Sequence, residues 1–320
     1  MANTSAAATV WNCPNYTGEL YLIGANKTPF LNMIGGLSGG RVRTVADFQF
    51  PLAQPWALEA ASQPNITETA SLTAPTALTY VRGQDVNTCQ IWQRRVSVSY
   101  AKQSVTGQIT ADATTGLVDG TDLQPVQNEK DFQINAHMRQ IAVDVDYTFL
   151  NGAYVQTTAA NVAARTRGII TGATTNTVAA GAATLDKVLI DTLLRTMATN
   201  GSEFLNPVIF CGAYQKQRFS SIYGYAPEDR NVGGVNIKQI ETDFAILVIV
   251  WAPNVPAGSL LIADLAFCSP VFLPVPEKGV LFYEELAKSG ASEDGQIYAQ
   301  LGLDYGPEEM HGTITGLATS

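Results

Sequence analysis

Two histidines in 320 residues leave little room for chemistry built on imidazole, and basic side chains are scarce as well. Nineteen Lys and Arg face 28 Asp and Glu, a formal net charge of -9. Phosphate backbones are bound by cationic surfaces, so an acidic chain is a poor wrapper of nucleic acid. The four cysteines, Cys13, Cys89, Cys211 and Cys268, lie far apart without a C-x-x-C pair. The opening residues, MANTSAAATVWNC, lack a basic segment followed by an apolar run. Reduced, packed thiols in a cytosolic setting are therefore expected, and a secreted β-rich binding protein is disfavoured. The longest apolar run, FAILVIVWAP (residues 244–253), is about half of the roughly 20 residues a membrane helix needs. It reads as a buried strand, and no membrane partner is expected. The N-x-[ST] triplets at Asn15 and Asn65 are read as chance in a Thr-rich chain. No lysine occurs from Ala46 to Ala101.

Catalytic and ligand motifs are missing too. The stretch EKDFQINAHMRQIAVDVDYTFLNG (residues 129–152) gathers His137 with Glu129, Asp131, Asp144 and Asp146. Asp144 and Asp146 would point roughly 200° apart on a helix, and His137 lies two turns from Asp144. No H-E-x-x-H or E-x-x-H spacing is present, so these read as solvated charges flanking a helix, not a metal or acid–base cluster. His311 has no G-x-S-x-G elbow and no nucleophile placed by local pattern. IGANKTPF lacks the second glycine of a phosphate loop, and IGGLSGG reads as a hinge. Neither a catalytic residue nor a cofactor or metal site is expected.

What is present is a folded chain, 46% hydrophobic and only 15% charged. Residues 1–40 are thin in core-forming side chains and read as an arm. RVRTVADFQF (41–50) alternates as a strand, with Val42, Thr44, Ala46, Phe48 and Phe50 on one face. A second strand lies in NTCQIWQRRVSVSYAKQS (87–104), where Val96, Val98 and Tyr100 oppose Arg95, Ser97 and Ser99. Between them run about 36 residues rich in Ala, Thr and Pro, too long for a compact connection. A lone two-stranded ribbon is marginal in water, so an ordered excursion of this kind must lie on something else, and a neighbouring subunit is the expected support.

After the loop 106–125, the stretch quoted above carries two apolar stripes: Ile134, Met138, Ile141, Val145 and Phe149, then Phe132, Ala136, Val143, Tyr147 and Leu150. The spacing predicts a helix over 126–151, about 38 Å long, with Pro125 at its start and Asn151-Gly152 at its stop. Residues 157–187 read as a low-complexity surface loop. TLDKVLIDTLLRTMATNG (184–201) reads as an amphipathic helix starting at Thr184, with Leu185, Val188, Leu189, Leu193 and Met197 on its stripe. NPVIFCGA, FAILVIVWAP, GSLLIADLAFCSPVFLPV, GVLFYEELAKS and GQIYAQLGLDYGPEEMHGTITGL read as strands separated by turns, and AYQKQRFSSIYGY as a short helix.

This order of parts resembles the major capsid proteins of tailed bacteriophages with the Hong Kong 97-like fold. The resemblance is carried by TPFLNMIGG (28–36), NTCQIWQRRVSVSYAKQ and the long helix, and runs over essentially the whole chain. It implies an α+β fold with an N-terminal arm at 1–44, an extended β-hairpin loop at 45–104 and a peripheral domain at 105–160 holding the spine helix. An axial α/β domain at 161–280 and return strands at 281–320 complete it. It further implies hexamers and pentamers closing into an icosahedral head around double-stranded DNA in the virion, assembled in a bacterial cytoplasm. A portal, a separate scaffolding protein and a decoration or cement protein would be partners. The separate scaffold is expected because the sequence begins at the arm without a charged helical segment before it. Some relatives staple the shell through a loop lysine; its absence from 46–101 predicts no isopeptide mesh. Trp56, Trp92, Arg94, Arg95, Arg82, Arg41 and Arg43 are the expected inter-subunit contacts, since Trp and Arg are enriched at interfaces. An encapsulin-like nanocompartment shell and a cytosolic α/β enzyme with a long lid are the alternatives.

Overall fold

The computed structural model describes residues 22, 27–37, 41–53, 56–103, 128–223, 238–288 and 290–319. Most of the arm, Cys13, Asn15, Pro125 and the loop 106–125 lie outside the described residues. In chain order the helices are α1 (Pro29–Met33), α2 (Glu68–Ser71), α3 (Tyr100–Gln103), α4 (Glu129–Asn151), α5 (Ile169–Gly172), α6 (Lys187–Thr199) and α7 (Ala213–Tyr223). The strands run from β1 (Arg43–Thr44), β2 (Gln49–Pro51), β3 (Val86–Thr88) and β4 (Gln90–Ser99) through β5 (Thr177–Ala179), β6 (Pro207–Cys211) and β7 (Gln239–Glu241). They continue with β8 (Ile246–Trp251), β9 (Leu260–Asp264), β10 (Ser269–Phe272), β11 (Leu281–Glu285), β12 (Ser292–Asp304) and β13 (Gly312–Thr315).

Two sheets organise these elements. In the first, β12 is the axis: one edge pairs antiparallel with β4 over ten residues, and the other is shared by β11 and then β10. The second is mixed, in the order β5-β13-β9-β6-β8-β7. Its Val208, Phe210, Leu261 and Ala263 face a core made with α1, α4, β4 and β12. Its Ile209, Cys211, Leu260 and Ile262 face a second core under α6. Strand alternation thus lets β6 and β9 serve both cores, which is why all five residues of each are buried. β10 belongs to the first sheet although it follows the second sheet's β9, and β13 belongs to the second although it follows β12. The return segment 281–320 therefore leaves the first sheet at Asp304.

The long helix starts at Glu129, three residues after the expected start at 126, and Asn128 in place of Pro125 sets its first turn. Asn128 caps it by accepting from the Asp131 N–H at 3.3 Å, and Glu129 and Asp131 place negative charge at the positive end of the helix dipole. Of the two apolar stripes, the first is the buried one: Ile141, Val145 and Phe149 are in the core, with Ile134 and Met138 packed at its edge. The second stripe stays largely outside: Phe132, Ala136 and Tyr147 are exposed, Val143 is half-buried and only Leu150 is enclosed. At the helix end the chain crosses itself closely. The Gly168 N–H donates to the Gly152 carbonyl at 2.8 Å, and a Cβ on Gly168 would lie 2.5 Å from the Gly152 nitrogen.

Several expectations are corrected. Residues 41–50 are not one strand: a bend at 46–48 separates β1, which pairs with β10, from β2, which pairs with β3. Residues 157–187 are not a surface loop; they contain α5 and β5 and bury Thr166, Ile169, Ala173 and Asn176. Asn176 occupies a buried site by donating to the Glu309 and His311 carbonyls at 2.7 and 2.9 Å. The helix α6 is capped by Asp186, not Thr184, and Val188 is exposed while Ile190 and Leu194 are buried. β8 is buried on one face only, leaving Ile246 and Val248 exposed.

Candidate assembly surface

Among the described residues, the longest unbroken exposed run is the segment between β2 and β3. The antiparallel ladder extends past Pro51 and Val86 by two bonds, Leu52 N–H to the Asp85 carbonyl (2.9 Å) and Asp85 N–H to the Ala53 carbonyl (3.2 Å). Beyond that point the described residues form no strand, so the hairpin is paired at its base alone. The single turn α2 is held by Thr67, which accepts from the Ala70 N–H at 3.2 Å. Every described residue from Trp56 to Gln84 is exposed, including Trp56 (59%), Ile66 (72%), Leu72 (85%) and Val81 (82%). Trp56 and Tyr80 face each other edge-on at 6.3 Å across the loop. Burying an aliphatic or aromatic side chain is worth about 1.5–3 kcal/mol, so half a dozen of them left in water represent on the order of 10 kcal/mol available to a partner surface, before the cost of association.

The expected contact residues do not form one cluster. Trp56 and Arg82 project from the loop, and Arg82 has no hydrogen bond or ion pair with a described residue. Arg41 donates to the carbonyls of Leu265 and Ala266 at 2.7 and 3.2 Å, and the neighbouring Arg43 pairs with Asp304. Arg94 pairs with Asp144 of α4 at 2.5 Å, and Arg95 with Asp294 at 3.2 Å. Trp92 is packed into the first core at 8% exposure, so its ring is engaged within its own subunit.

Sequence reasoning missed the anchoring of the loop's returning limb. The Arg167 Nη1 lies 3.1 and 3.0 Å from the two Asp85 carboxylate oxygens, and the guanidinium stacks on Tyr154 at 4.9 Å. Asn87, fully buried, accepts from the Arg167 N–H and donates to the Arg167 and Leu303 carbonyls. The D-x-N spacing puts both side chains on one strand face, the only sequence signal that could have found them.

The candidate chemical residues prove structural. His137 is half-buried on α4; desolvation, with help from the Arg94 charge, lowers its pKa. Asp146 is not a solvated acid: it is enclosed, accepting from the Leu31 N–H at 2.9 Å and from Asn254 Nδ2 at 2.7 Å. Burial raises its pKa despite those donors. His311 is fully buried, with Nδ1 accepting from the Asp264 N–H at 3.1 Å and Nε2 set 2.6 Å from the Tyr305 carbonyl, to which it donates. Desolvation pushes its pKa down to about 4, so it is a neutral cross-link between the two sheets. Burial pushes the thiols of Cys89 and Cys211 up to about 12. Among the described residues no group of three or more His, Cys, Asp or Glu side chains could hold a metal ion, and no helix is long and apolar enough to cross a membrane.

A family model for the SU10 major capsid protein matches residues 2–318. This chain belongs to that family. It is a major capsid protein, a structural component of the virion and not an enzyme. Solved structures show the same Hong Kong 97-like α+β fold at low identity. The capsid asymmetric unit of cyanophage A-1(L) aligns with TM-score 0.60 and 11% identity, covering 96% of each chain. The capsid of the native GTA particle aligns with TM-score 0.57 and 11% identity over 99% of each. The holo-SrpI encapsulin complex of Synechococcus elongatus PCC 7942 aligns with TM-score 0.55 and 9% identity, covering 100% of this chain and 97% of that one. No curated protein sequence matches the chain.

Proposed function

We propose that this capsid protein assembles as hexamers and pentamers into the icosahedral head of a tailed bacteriophage, enclosing double-stranded DNA without reading its sequence. The observation that carries the reading is the loop: residues 56–84 expose apolar side chains that their own subunit does not cover. Heterologous contacts that close on themselves give shells, and a loop lying on the next subunit supplies such a contact. The arm (1–44), loop (45–104), spine-helix domain (105–160), axial domain (161–280) and return segment (281–320) are the working parts. Trp56 and Arg82 are the loop's contacts; the exposed edges of Arg41, Arg43, Arg94 and Arg95 are those of the body, and Trp92 contributes by shaping β4 from beneath. The net charge of -9 lessens adhesion to packaged DNA. A portal, a scaffolding protein and a decoration or cement protein are the expected partners of such a shell.

Negative-stain microscopy of the purified protein tests this. Polyhedral shells, tubes or hexameric capsomers are expected, and Trp56→Ala with Tyr80→Ala should yield folded subunits that assemble poorly. A persistent monomer would overturn the reading. Particles from infected cells that hold enzyme cargo in place of nuclease-protected DNA would assign the chain to the encapsulin-like alternative.

A further inference from the structure

The loop leaves the body by two limbs, and the two are anchored by different kinds of contact. The outgoing limb, β2, pairs with β3, buries Phe50 beside Cys89 and Val271 with Leu52 at the edge of that cluster, and adds neutral side-chain contacts of Gln49 with Tyr154 and Gln156 at 3.5 and 3.1 Å. The returning limb carries Asp85 and Asn87 two residues apart, on the same face of an extended chain. Asn87 pins one point, by its bonds to both main-chain groups of Arg167 and to the Leu303 carbonyl. The Asp85 carboxylate supplies a second, and it too is held by Arg167, through the guanidinium. That guanidinium is itself held flat, with the Tyr154 ring on one side and the Tyr305 hydroxyl 3.3 Å from Nη1. Tyr305 is fully buried, so the whole assembly is referred to the rigid end of β12.

We propose that Arg167 is the positioning residue for the loop: one residue, gripping Asp85 with its side chain and Asn87 with its main chain, sets the angle at which residues 53–85 leave the subunit. Resting on the shell reading above, that angle determines how subunits meet and therefore how uniform the shells are. A planar cation that stacks on Tyr154 while its Nη1 faces Asp85 suits the role, and a lysine ammonium does not reproduce the stacking.

Arg167→Met tests this, because it keeps the main-chain bonds to Asn87 while removing the grip on Asp85. Thermal melting first verifies that the subunit is folded. Spin labels at Val81→Cys in the loop and Arg139→Cys on α4, in a Cys13→Ser background, then report the loop's direction in the unassembled subunit. A broader distance distribution is expected for Arg167→Met and an intermediate one for Arg167→Lys, with a wider spread of shell diameters. A folded Arg167→Met protein with the parent's distance distribution would overturn the proposal. So would shells of the parent's uniform diameter despite a broadened loop. If the parent protein itself forms no shells, the shell reading fails, while the distances still decide whether Arg167 sets the loop's angle.

Discussion

Acidification should loosen the junction between the two sheets through one residue, His311. Its ring accepts from the Asp264 main chain and donates to the Tyr305 carbonyl, so both nitrogens are committed and protonation would set an N–H against an N–H. Burial lowers its pKa from 6.5 to about 4. The sign follows from proton binding. Between those values the unfolded chain holds the proton and the folded one does not, so stability falls as pH falls through the interval. At about 1.4 kcal/mol per pH decade, the whole interval is worth about 3 kcal/mol. The loss begins near pH 6.5 and is complete near pH 4. Asp146 works in the opposite direction, because burial raises its pKa and protonation relieves that penalty at lower pH. The comparison is therefore with His311→Gln, which retains an acceptor and a donor but does not titrate here. Urea midpoints of parent and variant, measured from about pH 7.5 down to about pH 4.5, should converge or cross as the parent loses its advantage. A parent-minus-variant difference that stays constant over this range would refute the assignment of a buried, neutral imidazole.

Core packing, the close chain crossing and the loop's composition each carry a further expectation. Phe149→Ala, which empties a fully buried site in the first core, should cost about 3–5 kcal/mol, and Val145→Asp should leave no soluble subunit, whereas Val143→Asp on the half-buried stripe and His137→Ala should both fold; expression and thermal melts check these. Gly168→Ala should destabilise by several kcal/mol, since its Cβ would meet the Gly152 and Leu150 main chain, and a melt within a degree of the parent would contradict the close crossing. Intact shells run on denaturing gels should give a single monomer band, because residues 46–101 contain no lysine for a loop isopeptide; a ladder would contradict this.

Much of the architecture was legible because it rests on periodicity. The long helix, β4 and the alternation of Ile297, Ala299, Leu301 and Leu303 in β12 all follow from apolar spacing, and those four β12 side chains are fully buried. Residues 157–187 were misread because small residues give no periodic signal. Their burial depends on polar side chains such as Thr166 and Asn176 that find main-chain partners about 135 positions away. The bend that splits 41–50 was invisible for a related reason: each half is drawn to a different sheet.

The sequence alone determined that its histidines and acids do not fall at the spacing of a local catalytic or metal-binding motif, that a helix of unusual length stiffens it, and that an excursion of about 36 residues leaves the body. Those conclusions need only local spacing, composition and chain geometry. Tertiary structure decided which apolar stripe of the helix faces inward, that Asp146 is a cap for α1 across 115 residues, and that Asp85, Asn87 and Arg167 meet at the base of the loop. The reason is common to all three. A buried polar group is stable only with its partners in place, and here the partners come from chain segments whose approach no local pattern records.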